Sequence, residues 1–210
     1  MDLVPRPLLI LGAGAFAVEV ADLISEIPTF ELAGFVQSVD PRLGEKQLEG
    51  LPVYWIEDLA RLAETHWAIC AVGSSRRRAF IEQAAAFGIR FATVIHPASR
   101  VSAKSTLGEG TLVSAGVMIG AHARVGRHVI LNRGALVGHH TEVGDYAVCG
   151  PGANIAGSCK IGEGAYIGIG AVVRDHLKIG AGSVLGAGTV VVRDVPENVM
   201  VVAARSVTME

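Results

Sequence analysis

Aromatic side chains are scarce in this chain: they make up 5% of its 210 residues, although 50% of the residues are hydrophobic. The formal net charge of −2 is far from the strongly basic balance that indicates nucleic-acid binding, so we expect no nucleic-acid partner. Cysteines number only three, and an odd number does not indicate a disulfide framework. We interpret Cys70, Cys149 and Cys159 as buried thiols in a reducing cytosol.

The N-terminal segment lacks the long hydrophobic run that a signal peptide or a membrane span needs. It reads MDLVPRPLLILGAG, which is too short and too quickly interrupted by glycine for either role. We therefore expect a cytoplasmic protein that has no membrane partner.

A six-residue repeat runs without an insertion from Ile95 to Pro196. Every sixth residue is apolar, the residue four places later is nearly always small, and glycine often follows the apolar position. The seventeen apolar positions are Ile95, Val101, Leu107, Val113, Ile119, Val125, Leu131, Val137, Val143, Cys149, Ile155, Ile161, Ile167, Val173, Ile179, Leu185 and Val191.

A period of six fits neither an α-helix nor a single strand, whose periods are 3.6 and 2. It is typical of short strands joined by tight turns, with one hexad on each face of a three-sided prism. The branched side chain fills the interior, the small one lets the chain turn a corner, and glycine adopts unusual backbone angles. Seventeen hexads at three per coil predict between five and six coils, stacked at about 4.8 Å.

The segment before the repeat alternates apolar runs with helical periodicity, which predicts a small parallel α/β sheet. Its first turn reads Gly12-x-Gly14-x-x-Ala17, a form of the dinucleotide-binding fingerprint that directs helix N–H groups at a phosphate. Gln37 and Ser38 stand where a nicotinamide site would place an acidic residue. A nicotinamide cofactor, another phosphate-bearing ligand and a turn that serves only packing remain open.

A second turn, Gly73-Ser74-Ser75, precedes the arginines that begin with Arg76. Ser74 or Ser75 is a candidate helix cap, and the free N–H groups of that helix would face the same end of the sheet as the first turn. Arg76 would add positive charge there. The alternative is that the arginines only solvate an exposed helix face.

Six of the seven histidines lie in the repeat, where residues eighteen apart stack on adjacent coils. One outward column therefore contains His122, His140, Ser158 and His176. His139 belongs to the neighbouring column, with Ala121 below and Gly157 above, so its imidazole has room beside a concave surface.

Such a histidine suits acyl transfer from a thioester, because imidazole can take a proton from an amine or hydroxyl at neutral pH. The reaction also needs an N–H donor for the carbonyl oxygen as it gains charge, and the backbone at Gly157 is a candidate. No serine or cysteine nucleophile is required, which agrees with the inward positions of Cys149 and Cys159.

The glycine turn, followed by an unbroken repeat that contains GHHTEVGDYAVCGPGANIAG, resembles the sialic acid O-acetyltransferase and UDP-amino-sugar N-acetyltransferase family over essentially the full chain. The resemblance implies a Rossmann-like α/β domain for nucleotide-sugar binding at residues 1–94 and a left-handed parallel β-helix at residues 95–210. It implies acetyl-CoA as acyl donor, a sugar amine or hydroxyl as acceptor, and a homotrimer with active sites between subunits.

The resemblance also implies roles for individual residues. His139 corresponds to the general base, and His140 follows it as an auxiliary group. The positions matched to coenzyme A contacts are Val148, Gly157, Ile169 and Ala187. The positions matched to nucleotide-sugar contacts are Gly12, Gly14, Ala15, Phe16, Gln37, Ser38 and Gly73.

The chain departs from the family pattern at several of these positions. The carboxylate that follows the base in the family is His140 here, and Phe16 and Val148 replace histidines. Gln37 and Ser38 replace paired aspartates that contact the nucleotide base. The departures imply either a different acceptor or a loss of activity.

Two other functions remain open at this point. The γ-type carbonic anhydrases hold zinc on this kind of helix with three histidines, and His122, His128 and His140 are candidates here. The usual spacing of that family is missing, because Gly144 stands five residues after His139. The second of these alternatives is a non-catalytic trimeric scaffold.

Overall fold

A computed structural model of the protein describes residues 4–38, 47–74 and 76–203. These residues form two compact units. The first unit lies within Met1–Pro97 and Glu109–Ala115, and the second lies within Ala98–Gly108 and Gly116–Glu210. None of the described helices is long and apolar enough to cross a membrane.

The first unit contains a six-stranded sheet. Its strands are β1 (Arg6–Leu11), β2 (Phe30–Gln37), β3 (Gln47–Leu48), β4 (Leu51–Trp55), β5 (Trp67–Cys70) and β6 (Arg90–Phe91). They lie in the order β3-β4-β2-β1-β5-β6, and only the β3–β4 pair is antiparallel. Four consecutive residues of β1, Leu8 to Leu11, are fully buried, as expected for a parallel strand covered on both faces.

Three α-helices accompany this sheet. They are α1 (Ala15–Ser25), α2 (Leu59–Leu62) and α3 (Arg77–Ala86), and a 3-10 turn at Ile56–Asp58 precedes α2. In α1 the buried residues include Ala17, Val20 and Ile24, whose spacing of three and four places them on one face of the helix. The predicted parallel α/β unit is confirmed.

The strands from residue 94 onward contain two residues each. They are β7 (Val94–Ile95), β8 (Arg100–Val101), β9 (Thr106–Leu107), β10 (Leu112–Val113), β11 (Met118–Ile119), β12 (Arg124–Val125), β13 (Ile130–Leu131), β14 (Leu136–Val137), β15 (Glu142–Val143), β16 (Val148–Cys149), β17 (Asn154–Ile155), β18 (Lys160–Ile161), β19 (Tyr166–Ile167), β20 (Val172–Val173), β21 (Lys178–Ile179), β22 (Val184–Leu185), β23 (Val190–Val191) and β24 (Met200–Val201).

These strands form the parallel ladders of a β-helix. Within the first unit β7 pairs with β10. In the second unit one ladder is β8-β11-β14-β17-β20-β23, another is β9-β12-β15-β18-β21, and the third contains β13-β16-β19-β22-β24. The boundary that we propose from the sequence, between residues 94 and 95, is the start of the six-residue repeat. The two compact units alternate along the sequence after this point, because residues 109–115 belong to the first unit and residues 98–108 to the second.

Before the last coil, the strands of the β-helix pair with the strand eighteen residues later, as in the pair of Val137 with Ile155. The apolar residues of the repeat fill the interior from Val113 to Val191, and the small series is buried with them. Ile95, in the first coil, is 39% exposed because no earlier coil covers it.

The register of eighteen ends at the last coil. Val195 pairs with Ile179, and Val201 pairs with Leu185, so this coil is two residues shorter than the others. The carboxylate of Asp194 accepts a hydrogen bond of 2.9 Å from the backbone N–H of Lys178 in this coil.

Candidate active site

The outward histidines lie at a corner of the β-helix where each coil makes a two-residue turn. The second residue of the turn has a left-handed backbone in four successive coils, with φ of 61° at His122, 58° at His140, 60° at Ser158 and 61° at His176. Few residues other than glycine adopt this conformation, and histidine is enriched among them. The shared geometry agrees with the column that the spacing of eighteen predicts.

His139 is the first residue of the same turn, and its imidazole lies against Gly157 on the next coil. A Cβ atom added to Gly157 would lie 2.6 Å from Cε1 and 2.7 Å from Nε2 of His139. The backbone of Gly157 is not left-handed, so the ring alone excludes a side chain. The space that the sequence predicts around His139 is filled by its own ring.

The Nδ1 atoms of His139 and His140 are 3.0 Å apart, and the two ring planes are nearly perpendicular at 84°. A hydrogen bond between two imidazole nitrogens requires one N–H and one lone pair, so at least one ring is neutral when it forms. The backbone spacing alone did not indicate this contact, because it depends on the side-chain rotamers of both residues.

Buried hydrogen bonds hold this turn to the coil that follows. Thr141 is fully buried; its Oγ1 donates to the carbonyl of Ala156 at 2.8 Å and accepts from the N–H of Cys159 at 3.2 Å. The N–H of Ser158 donates to the carbonyl of His139 at 2.8 Å. The imidazole of His139 and Gly157 on the next coil are therefore carried by a hydrogen-bonded backbone.

The cysteines are buried, as the sequence predicts. Burial raises the pKa of the Cys149 thiol to about 12, and it also raises the pKa of Cys159. Burial raises the pKa of Cys70 although the nearby Arg77 guanidinium opposes the shift. A protonated thiol is a poor nucleophile, so these residues do not provide covalent catalysis at neutral pH.

A groove of about 620 Å³ runs along the ladder that begins with β8 and β11. Its lining includes Met118 and Leu136, together with the small residues Ala121, Gly138 and Ala156 beside the histidine turn. Met118 is 46% exposed in the single chain. The groove thus brings an apolar surface to the edge of the His139 site.

The positions predicted to contact coenzyme A lie at two different corners. Ile169 and Ala187 occupy equivalent turns on adjacent coils, where the N–H of Gly188 donates to the carbonyl of Ile169 at 2.8 Å. Both residues are exposed, whereas Val148 is only 8% exposed on β16. Gly157 belongs to the histidine corner, so one chain does not bring it together with Ile169 and Ala187.

The first unit contains a hollow of about 590 Å³ at the carboxyl ends of β1 and β2. Four of the predicted substrate residues line it, namely Gly12, Gly14, Gln37 and Ser38. Ala15 lines a separate hollow beside Val18 and Asp22, and neither Phe16 nor Gly73 lines the first one.

Glycine occupies the two positions of the first turn for different physical reasons. Gly12 has φ of +126°, and a Cβ atom there would lie 3.2 Å from the carbonyl oxygen of Ala71. Gly14 begins α1 as its N-cap and has no neighbouring atom within 4 Å of an added Cβ. Packing accounts for Gly12, whereas Gly14 leaves open space in front of the helix N-terminus.

Serine capping at the second turn was predicted for Ser74 or Ser75, and it is wrong for Ser74. The N-cap of α3 is Arg76, without a side-chain hydrogen bond to the helix, and the carbonyl of Ser74 accepts from the Arg77 N–H at 3.1 Å. The helix begins at Arg77, so the Ser74 side chain is not at the capping position. Ser75 lies outside the described residues.

Arg76 lines the hollow, as the interpretation of a charged second turn predicts. Ala79, Phe80 and Gln83 of α3 also line it and were not predicted. Ala79 and Phe80 lie four and three residues before Gln83, and this spacing, which places them beside Gln83 on one helix face, was the available signal.

The histidines considered for zinc do not form a metal site within the chain. Among the residues that the structure describes, no three or more His, Cys, Asp or Glu side chains are grouped so that they could hold a metal ion. His128 is buried and stacks on Tyr146 at a ring distance of 5.3 Å, whereas His122 stacks on His140.

Two family models match the chain. The PglD N-terminal domain matches residues 7–84, and the bacterial transferase hexapeptide model of six repeats matches residues 158–193. A comparison with curated proteins gives no match.

Several solved structures are similar over nearly the whole chain. The acetyltransferase domain of PglB from Neisseria gonorrhoeae FA1090, in complex with acetyl coenzyme A, is 32% identical, with a TM-score of 0.87 and coverage of 95% of this chain and 97% of that one. Perosamine N-acetyltransferase from Caulobacter crescentus, a histidine-to-asparagine variant in complex with CoA and GDP-perosamine, is 32% identical, with a TM-score of 0.87 and coverage of 97% and 96%. WeeI from Acinetobacter baumannii AYE is 28% identical, with a TM-score of 0.85 and coverage of 94% and 97%.

The fold and these similar structures define a hexapeptide-repeat acyltransferase with a left-handed parallel β-helix, as predicted. The chain belongs to the PglD-like family of sugar acetyltransferases, which is the family that the sequence resembles.

Proposed function

We propose that the protein acetylates an amino group or hydroxyl of a nucleotide-linked sugar, with His139 as the general base. The acyl donor is acetyl-CoA. The observation that carries the proposal is the position of His139, whose ring lies on Gly157 while its Nδ1 contacts His140.

The contact with His140 supports Nε2 of His139 as the nitrogen that acts as base. When His139 donates its Nδ1–H to Nδ1 of His140, its own Nε2 carries the lone pair. Nε2 can then accept the proton of the attacking amine or hydroxyl, and such general-base catalysis contributes about a hundredfold to ten-thousandfold. This is the arrangement in which one imidazole orients another.

The backbone of Gly157 supplies a donor beside that nitrogen. Among the described residues the N–H of Gly157 makes no hydrogen bond, although its carbonyl accepts from the N–H of His176 at 3.1 Å. An N–H that is fixed in place and free can stabilise charge on a carbonyl oxygen. Bound acetyl-CoA supplies the activated acyl group as a thioester, and the Gly157 N–H would bind its carbonyl oxygen.

A homotrimer would bring the two sets of proposed coenzyme A contacts together. Gly157 of one subunit would then lie close to Ile169 and Ala187 of the next subunit, which one chain alone does not achieve. The groove that contains Met118 is the apolar surface that we assign to this interface. Val148 would contact the donor from its position on β16.

The hollow in the first unit is the proposed site for the nucleotide part of the acceptor. The open space before Gly14 and the N-terminus of α1 suit a phosphate, and Arg76 adds positive charge. Gln37 and Ser38 provide neutral hydrogen-bonding groups in the place of the family's aspartates. Perosamine N-acetyltransferase, with GDP-perosamine bound, supports the same substrate class for this chain.

The test is release of the coenzyme A thiol over a panel of nucleotide-linked amino sugars and their hydroxyl counterparts. We expect turnover with one class of sugar, and loss of that turnover in His139→Ala. A panel that gives no thiol release with any acceptor would contradict the proposal and favour the non-catalytic scaffold. A zinc-dependent activity that survives in His139→Ala would favour the carbonic anhydrase alternative.

A further inference from the structure

His122 lies one coil before His140 in the same left-handed turn. The two rings are stacked, with centroids 4.9 Å apart and planes inclined by 30°. Both side chains are exposed to solvent in the single chain. Stacking on His122 therefore restricts the His140 ring at this exposed corner of the β-helix, in addition to the contact of His140 with His139.

The orientation of His140 matters because an imidazole accepts hydrogen bonds in fewer directions than a carboxylate does. A carboxylate has two oxygens and about four lone-pair sites, whereas a neutral imidazole has a single acceptor nitrogen. The family places a carboxylate after the base, and this chain places His140 there. The 3.0 Å contact with His139 is kept only while Nδ1 of His140 faces it.

We propose that His122 is a positioning residue, which stacks on His140 and holds its Nδ1 toward the base His139. The inference rests on the proposed role of His139. It extends the site by one coil, to a residue that does not contact the acyl group or the acceptor in this scheme.

The neighbouring corner contains a second stack of the same kind. His128 and Tyr146 are eighteen residues apart, have φ of 54° and 60°, and stack at 5.3 Å with an interplanar angle of 17°. A tyrosine thus fits a left-handed turn of this β-helix and stacks on an imidazole of the adjacent coil. This pair provides the design for a rescue variant at His122.

The experiment compares His122→Asn with His122→Tyr by steady-state kinetics. Asparagine tolerates the left-handed backbone but has no ring to stack, whereas tyrosine keeps a stacking surface. We expect His122→Asn to lower kcat on the order of tenfold, less than the roughly hundredfold that a 1 Å misplacement can cost, with both KM values unchanged. His122→Tyr should restore most of the lost kcat.

A second arm tests whether His122 acts through His140. In a His140→Ala background the His122→Asn change should have no further effect, because residues that act through one contact are not additive. His176→Asn is the matched control for stability, since His176 has the same φ of 61° as His122 and lies three coils further along the column. Melting temperatures of all variants establish that each is folded.

The inference is overturned if His122→Asn keeps the wild-type kcat, if tyrosine is no better than asparagine, or if the loss is as large in the His140→Ala background. A normal kcat in His139→Ala would instead overturn the proposed base. Loss of activity in His139→Ala together with normal His122→Asn would leave the proposed function standing and reject the role of His122 alone.

Discussion

At the scale of single residues, the proposed site contains a pair of adjacent histidines rather than a histidine and a carboxylate. Their Nδ1 atoms are 3.0 Å apart, and when His139 donates the hydrogen bond between them, Nε2 of His139 is the nitrogen that can accept a proton. A neutral imidazole stabilises a protonated base less strongly than a carboxylate does. The pair is therefore sensitive to substitution at either position, but in different ways.

We expect His139→Ala to lower kcat by about a hundredfold or more, because the base is lost, and His140→Ala to lower it less. His140→Glu should match or exceed the wild type, since a carboxylate accepts the same hydrogen bond and stabilises the imidazolium. The measurement is kcat from thiol release. If His140→Ala is the more damaging change, His140 is the base.

Thr141 acts on the same turn through the backbone. Thr141→Val should lower the free energy of unfolding by about 1–3 kcal/mol, because it leaves the Cys159 N–H without its acceptor and the Ala156 carbonyl without its donor. Urea denaturation measures the change. The control is Thr106→Val on an exposed strand position, where we expect a change within about 0.5 kcal/mol. Equal effects at both positions would rule out the structural role of Thr141.

At the scale of elements, the site is formed by two successive turns of the β-helix. One turn carries His139 and the next carries Gly157, and the distance between them is set by the spacing of adjacent parallel strands. The ring of His139 occupies the volume that a side chain on Gly157 would need. Each turn thus limits what the other can contain.

Gly157→Ala should lower kcat on the order of a hundredfold, because the added Cβ atom displaces the imidazole by about 1 Å from its productive position. Its stability should change little, since the backbone there is not left-handed. In a His139→Ala background the same change should have no further effect on kcat. An undiminished kcat in Gly157→Ala would show that the ring is placed elsewhere during turnover.

The sequence predicts those elements that depend on local spacing of residues, and it does not predict features that depend on contacts between coils or helices. The period of six predicts the β-helix because each interior position must be apolar, and Val113 to Val191 obey this rule. The shorter last coil was not predicted, because the pairing of Val195 with Ile179 and of Val201 with Leu185 is a contact between coils that the period of six does not reveal. Phe80 was missed since the face that α3 turns to the hollow is decided by packing.

At the scale of the whole molecule, buried thiols make stability depend on pH. The pKa of Cys149 is about 12 in the folded state against a usual value of 9.0, so the folded protein keeps a proton that the unfolded chain releases. A raised folded-state pKa adds stability below the unfolded pKa, and this contribution is lost as pH rises toward the folded value. The affected window therefore runs from about pH 9 to about pH 12.

We expect the free energy of unfolding to fall more steeply with pH in the wild type than in Cys149→Ala over this window. The difference in slope should approach about 1.4 kcal/mol per pH unit, which is the limit for one proton. Urea denaturation between about pH 8 and about pH 11 measures the pH dependence of the unfolding free energy for the wild type and for Cys149→Ala. Parallel curves for the two proteins would exclude Cys149 as the group responsible.

Assembly is the second property of the whole molecule. We expect light scattering to give the mass of a trimer, and Met118→Lys to shift the protein toward monomer and lower kcat, because a charge would lie in an apolar interface. Thr106→Lys is the matched control, since it changes an outward strand position on a ladder whose exposed residues include Arg124 and Lys160. A wild-type monomer at micromolar concentration would contradict the shared site.

Because each coil contains eighteen residues, the fold can tolerate the loss or duplication of a whole coil at positions where the function cannot. Removal of a whole coil leaves every remaining interior residue above one of the same kind, so a gene can lose or duplicate such a unit and still encode a packed β-helix. The histidine turn and the glycine turn above it come from consecutive units. Duplication of a coil between His139 and Gly157 would therefore keep the architecture and abolish the site, so inherited changes in length should occur on either side of this boundary and not across it.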